Sequence, residues 1–153
     1  IYHHYSSKQG MLVAVMEHAM EDLWWRSLAA AQEAGPSPWE QVAAQIECLV
    51  LFHSRRQDLA FIAWSEIRSL EPEHRRVHLA RRDRQQAVVD AIVNRGTSSA
   101  DFRVRRPKEA ARAITTLCVA ISQWYRSTGP LSPEELAAEY VELVRGMLRC
   151  TVT

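Results

Sequence analysis

Glycine and proline are scarce, five and six in 153 residues, and they sit in clusters. Long stretches free of both leave room for long helices. No segment alternates strictly between apolar and polar for more than four residues, which argues against a β-sheet. No apolar run approaches the ~20 residues of a membrane span. The opening Ile1–Tyr2–His3–His4–Tyr5 has neither the basic start nor the long apolar stretch of a signal peptide. Cys48, Cys118 and Cys150 are odd in number and far apart, which argues against a disulfide framework or a zinc site and fits a reducing cytosol. A Gly-rich phosphate motif and His-Glu-x-x-His are both missing. Nineteen Lys and Arg against eighteen Asp and Glu leave a net charge of +1, so the chain does not coat nucleic acid or membrane by bulk charge. There is no initiator Met. The chain opens inside what reads as a helix end, and it is expected to be a piece of a longer protein.

What is present is helical patterning. Ser7 is a candidate N-cap for a helix carrying Leu12, Val15, Met16, Ala19 and Leu23 at helical spacing and stopping at Gly35–Pro36. Ser37–Pro38–Trp39–Glu40 starts a second helix, with Val42, Ile46, Leu49, Val50 and His53 on one stripe. After a break at Ser54–Gln57, a third block carries Leu59, Ile62, Ala63, Glu66, Ile67 and Leu70. Pro72 opens a basic helix expected to end at Gly96 as its C′ residue. Thr97–Arg106 reads as irregular, anchored by Phe102. Pro107 opens a fifth helix, and the capping box Ser132–Pro133–Glu134–Glu135 a sixth. The expected fold is an all-α bundle of about six helices with short loops.

Catalysis is not expected, and no cofactor is. His3 and His4 are adjacent and point apart on a helix. His74 and His78 have the i,i+4 spacing of a metal pair but stand among Arg75, Arg76, Arg81 and Arg82. That cationic field favours a solvated basic face over a metal site.

Tyr2–His3–His4–Tyr5–Ser6–Ser7–Lys8–Gln9–Gly10–Met11–Leu12 resembles the junction in TetR-family transcriptional repressors, where a recognition helix ends in Tyr-x-His-Phe and Ser-Lys-Glu-x-Leu opens the next long helix. Tyr5 replaces the usual Phe and Gln9 the usual Glu. The stretch Trp124–Ser132 looks like the loop between the last two helices in a branch that includes actinobacterial regulators of steroid and fatty-acid breakdown.

The resemblance implies that residues 1–7 are the end of a helix-turn-helix DNA-binding domain and 8–153 a ligand-binding and dimerisation domain. It implies a cytoplasmic homodimeric repressor, released from operator DNA by a small, largely apolar effector, with an acyl- or steroid-CoA thioester as the class it leans toward. The alternative is a helical small-molecule-binding or carrier domain without a DNA role. Tyr2, His3 and Lys8 offer phosphate donors beside a helix N-terminus. The resemblance places pairing of two subunits on the last two helices, for which Ile114, Trp124, Tyr140, Leu143, Val144 and Met147 supply apolar surface. It places the effector among the middle helices, with Phe52, Phe61, Ile62, Trp64 and Ile121 as lining.

Glu66 interrupts the apolar stripe of the third block, and Arg84 interrupts the stripe Val77, Ala80, Val88, Ala91 and Ile92 of the next helix; a buried charge needs a partner. Two readings stay open. One is a structural pair, or an Arg84 that bends out to solvent. The other is a pocket in which Arg84 binds an anionic group of the effector and Glu66 is its partner in the empty state.

Overall fold

The computed structural model describes residues 7–151. Six α-helices follow one another, with no strand among the described residues. They are α1 (Lys8–Ala34), α2 (Pro38–Arg55), α3 (Gln57–Ser65), α4 (Pro72–Ser98), α5 (Pro107–Trp124) and α6 (Pro133–Met147), with a 3-10 turn at Ile67–Ser69.

The helix starts follow the local chemistry. Ser7 accepts the Gly10 N–H at 3.1 Å and opens α1, satisfying one of the free amides of the first turn. Gly35, at φ +79°, ends it in a backbone conformation that glycine takes without strain. Ser132 and Glu135 exchange both bonds of a capping box at 3.1 and 3.0 Å, fixing the start of α6.

Helix α2 is the centre of the bundle and packs against all five others. Its sequence explains this: Trp39, Val42, Gln45, Ile46, Leu49, Val50, Phe52, His53 and Ser54 are all buried, far more than one stripe. Its buried polar side chains are satisfied locally. Ser27 of α1 donates its hydroxyl to Gln45 Oε1 at 2.6 Å, and Gln45 Nε2 donates to the Ser27 carbonyl at 2.9 Å. Gln57, at the start of α3, caps the other end of the bundle by donating to the carbonyls of Ser122 and Tyr125.

Two expectations need correction. Gly96 lies inside α4, which runs on to Ser98. The ring of Phe102 folds back over Gly96, where any Cβ would overlap it, and the Phe102 N–H bonds the Gly96 carbonyl at 3.0 Å. The glycine is there for close approach, not for helix termination. The inward face of α4 also differs. His78, Gln85, Val89, Ile92, Val93 and Gly96 are buried, while Arg84 and Ala91 are exposed and Val77 and Val88 half-buried. Polar His78 and Gln85 stand on the core face, so the most apolar stripe of α4 is not its inner one.

No helix among the described residues is long and apolar enough to cross a membrane.

Candidate ligand site

Where α3, α4 and α5 meet, the domain holds a hollow of about 500 Å³. Helix α4 contributes Leu79, Arg82, Asp83 and Gln86; α5 contributes Arg112, Thr115, Thr116, Val119, Ala120 and Gln123; α3 contributes Trp64. Both sets follow i, i+3, i+4, i+7 spacing, so each helix presents one continuous face. The short side chains of the α5 face keep the two helices from filling the space.

Trp64 is held from behind. His53 is fully buried, and its Nδ1 donates to the Leu49 carbonyl at 2.7 Å. A carbonyl only accepts, so Nδ1 carries the proton and Nε2 is a bare acceptor. Trp64 Nε1–H donates to that Nε2 at 3.2 Å. Burial drives the His53 pKa down to about 4, partly opposed by the bond to Leu49, so the ring is neutral at pH 7. On the other side, the Arg82 guanidinium stacks over the Trp64 ring at 3.7 Å. Burial pulls the Arg82 pKa down and nearby Asp83 opposes this, yet an arginine keeps its charge.

Arg82 and Arg112 thus enter one hollow from facing helices. Neither has a carboxylate within ion-pair distance among the described residues. Two guanidiniums against one carboxylate, beside Trp64, Leu79 and Val119, suit a partly apolar molecule with an acidic group. A larger groove of about 650 Å³ lies between α1, α2 and α6. Alanines floor it and Glu33, Glu40, Glu47 and Glu142 rim it, so it repels anions. Among the described residues, no group of three or more His, Cys, Asp or Glu side chains could hold a metal ion.

Of the residues expected to line a pocket, Trp64 alone lines this hollow. Phe52 and Ile121 are core: Phe52 meets the His53 ring edge-on at 5.4 Å, and Ile121 is fully buried. Phe61 is exposed, in a separate cleft with Trp124, and Ile62 is half-buried. Glu66 and Arg84 do not pair. Glu66 follows the last residue of α3 and accepts the Ser69 hydroxyl at 2.9 Å. Arg84 turns outward, 3.4 Å from Glu21 and stacked on Trp24 at 3.9 Å. The solvent-facing reading of Arg84 therefore describes it, and the pocket reading does not. The solvated-face expectation fails for His78, which is buried with Nε2 donating to the Ala63 carbonyl at 2.9 Å.

Tyr2 and His3 lie outside the described residues; Lys8 is exposed as the first residue of α1. Trp124, Leu143 and Met147 stand exposed on α5 and α6, and Tyr140 is half-buried. Ile114 and Val144 are packed in the core of the single subunit and have no surface to give a partner.

Sequence reasoning missed Arg82 and Arg112 by treating arginines as surface. The readable signal was the α5 face on which Arg112 is followed at helical spacing by the small Thr115, Thr116, Val119 and Ala120, opposite the apolar stripe of the same helix.

These helices, gathered on α2 with a cationic hollow between α4 and α5, define an all-helical ligand-binding domain. Residues 35–148 match the family model of the tetracycline repressor-like C-terminal domain, so the chain belongs to the TetR family of transcriptional regulators. The solved TetR-family regulatory protein from Rhodococcus RHA1 is similar at TM-score 0.90 and 28% identity, over 97% of this chain and 78% of that one. PfmR, a TetR-family transcriptional regulator from Thermus thermophilus, is similar at TM-score 0.84 and 28% identity, over 99% and 81%. AibR, solved in complex with isovaleryl coenzyme A and operator DNA, shares the fold at TM-score 0.84 and 21% identity, over 97% and 79%. No curated protein matches the sequence.

Proposed function

We propose that this chain is the regulatory part of a homodimeric, cytoplasmic, non-enzymatic repressor, released from its operator when an acidic, largely apolar effector enters the α3–α4–α5 hollow. The observation that carries this reading is the pair Arg82 and Arg112, both lacking a carboxylate partner, on facing helix walls beside Trp64. An acyl-CoA thioester has the required chemistry, and AibR's complex with isovaleryl coenzyme A lends the class support.

Residues 1–7 are read as the end of the DNA-binding domain, with Tyr2, His3 and Lys8 near the phosphate backbone, and 8–153 as the ligand-binding and dimerisation domain. Helix α4 can pass a shift to α1, because its other side is tied there. Arg81 lies 3.9 and 3.7 Å from Glu17 and Glu21, and Arg84 binds Glu21. Gln9 donates to the Ser69 carbonyl and accepts the Glu71 N–H, clasping the start of α1 to the turn before α4. An effector that binds one tilt of α4 better than the other then biases α1 by the same free energy. Exposed Leu117, Trp124, Leu143 and Met147 supply the surface for a subunit partner.

A gel-shift assay of the full-length gene product on the DNA upstream of its own gene tests this. Binding that medium-chain acyl-CoAs reverse supports the repressor. A full-length product that binds acyl-CoA but no DNA is a carrier.

A further inference from the structure

Helix α4 carries three buried polar atoms with no hydrogen-bond partner: Nδ1 of His78 and both amide atoms of Gln85. The residues are 3% and 6% exposed. His78 Nε2 donates to the Ala63 carbonyl, so Nδ1 is a bare acceptor facing the interior. Gln85 is left with a donor and an acceptor together. Each unmet buried group costs free energy, and a folded core rarely keeps one without a reason.

Their placement is specific. His78, Arg82 and Gln85 follow i, i+4, i+7 spacing, so the unpartnered groups flank the hollow's arginine on one ridge of α4. Gln85 stands one turn beyond Arg82, about 60° further round toward the core. Gln85 does not itself line the hollow, whose α4 wall is Leu79, Arg82, Asp83 and Gln86; a substituent close to an acidic group held by Arg82 would meet the Gln85 amide where that wall parts from the core.

We propose that Gln85 is a specificity residue of the effector site: it pairs with a neutral group that both donates and accepts a hydrogen bond, a hydroxyl being the smallest, carried by the acidic effector. This rests on the effector reading of the hollow and adds to it that a plain acid or acyl chain is not the best ligand.

The test uses hexanoate, octanoate and decanoate against their 3-hydroxy counterparts, titrated into this protein and its Gln85→Met variant, with decanoyl-CoA titrated in parallel and melting temperatures of both ligand-free proteins. Methionine keeps the length of the side chain and removes both polar atoms. The expected results are a preference of about tenfold for at least one hydroxy acid in the parent, its loss in Gln85→Met, and a variant that melts a few degrees higher once the unmet groups are gone. A lower melting temperature would show that the amide has structural partners and overturn the proposal. Equal binding of plain and hydroxy acids by the parent would overturn it while leaving the acidic-effector reading intact. No binding of either acid series while decanoyl-CoA still binds would overturn the proposal alone, and no binding of decanoyl-CoA either would reject the acidic-effector reading with it.

Discussion

Trp64 donates its indole N–H to Nε2 of His53 across 3.2 Å, joining the wall of the hollow to a fully buried imidazole at the end of the central helix. The bond requires His53 to be neutral, which its burial also enforces.

A pH dependence follows. The His53 pKa is about 4 when folded and near the ordinary histidine value of 6.5 when unfolded. Between those values the unfolded chain binds the extra proton, so stability rises with pH through this window. The contribution is complete above pH 6.5 and is lost as pH falls toward 4, by about 3 kcal/mol at most. His78, also lowered by burial, adds in the same direction. Denaturant melts at pH 7 and pH 5 should show the loss, and His53→Gln should reduce it. Parallel pH curves for parent and variant would contradict the assignment.

Gln45→Leu should destabilise the domain by about 1–3 kcal/mol, because it strands the buried Ser27 hydroxyl. Adding Ser27→Ala should recover part of that loss. A double variant that is worse than the sum of the singles in urea melts would refute the reciprocal bond.

Gly96→Ala should cost about 1–3 kcal/mol, since the new methyl overlaps the Phe102 ring. Combining it with Phe102→Leu should cost less than the two singles added, the mark of a direct contact. Strict additivity would mean that the two residues do not touch.

Leu143 and Met147 are 60% and 39% exposed on α6, whereas Val144 between them is 2% exposed. On the dimer reading, Leu143→Glu and Met147→Glu should give folded monomers by sedimentation with unchanged helicity. Val144→Glu should unfold the subunit instead. A Leu143→Glu protein that sediments as a dimer would move the subunit contact elsewhere.

Helix starts were legible because they depend on local chemistry. Ser7, Ser37 and Ser132 cap where Ser before a helical run should cap, and Pro38, Pro72, Pro107 and Pro133 each stand at a first turn. Helix orientation was legible only where composition is one-sided. On α5 the spacing selects Ile114, Leu117, Cys118, Ile121, Trp124 and Tyr125, of which Ile114, Cys118, Ile121 and Tyr125 are buried while Leu117 and Trp124 are exposed. On α4 the rule chose the wrong face, because His78 and Gln85 point inward while Val77 and Ala80 do not. The Glu66–Arg84 pairing failed for the same reason: with α4 turned by one residue, Arg84 reaches Glu21 rather than the core. The hollow itself was not legible, since Arg82 and Arg112 are 30 residues apart in sequence and meet only through the packing of α4 on α5.

On the proposed function, the α3–α4–α5 hollow binds an acidic effector through Arg82 and Arg112. The most direct measurement is calorimetric titration of decanoyl-CoA and decanoate into the parent and Arg112→Met, a substitution at an exposed residue without an ion pair. The account predicts saturable binding of at least one of the two to the parent. It also predicts about tenfold or more weakening in Arg112→Met, with the melting temperature of the ligand-free protein unchanged. Equal affinity of parent and variant for both ligands would contradict it.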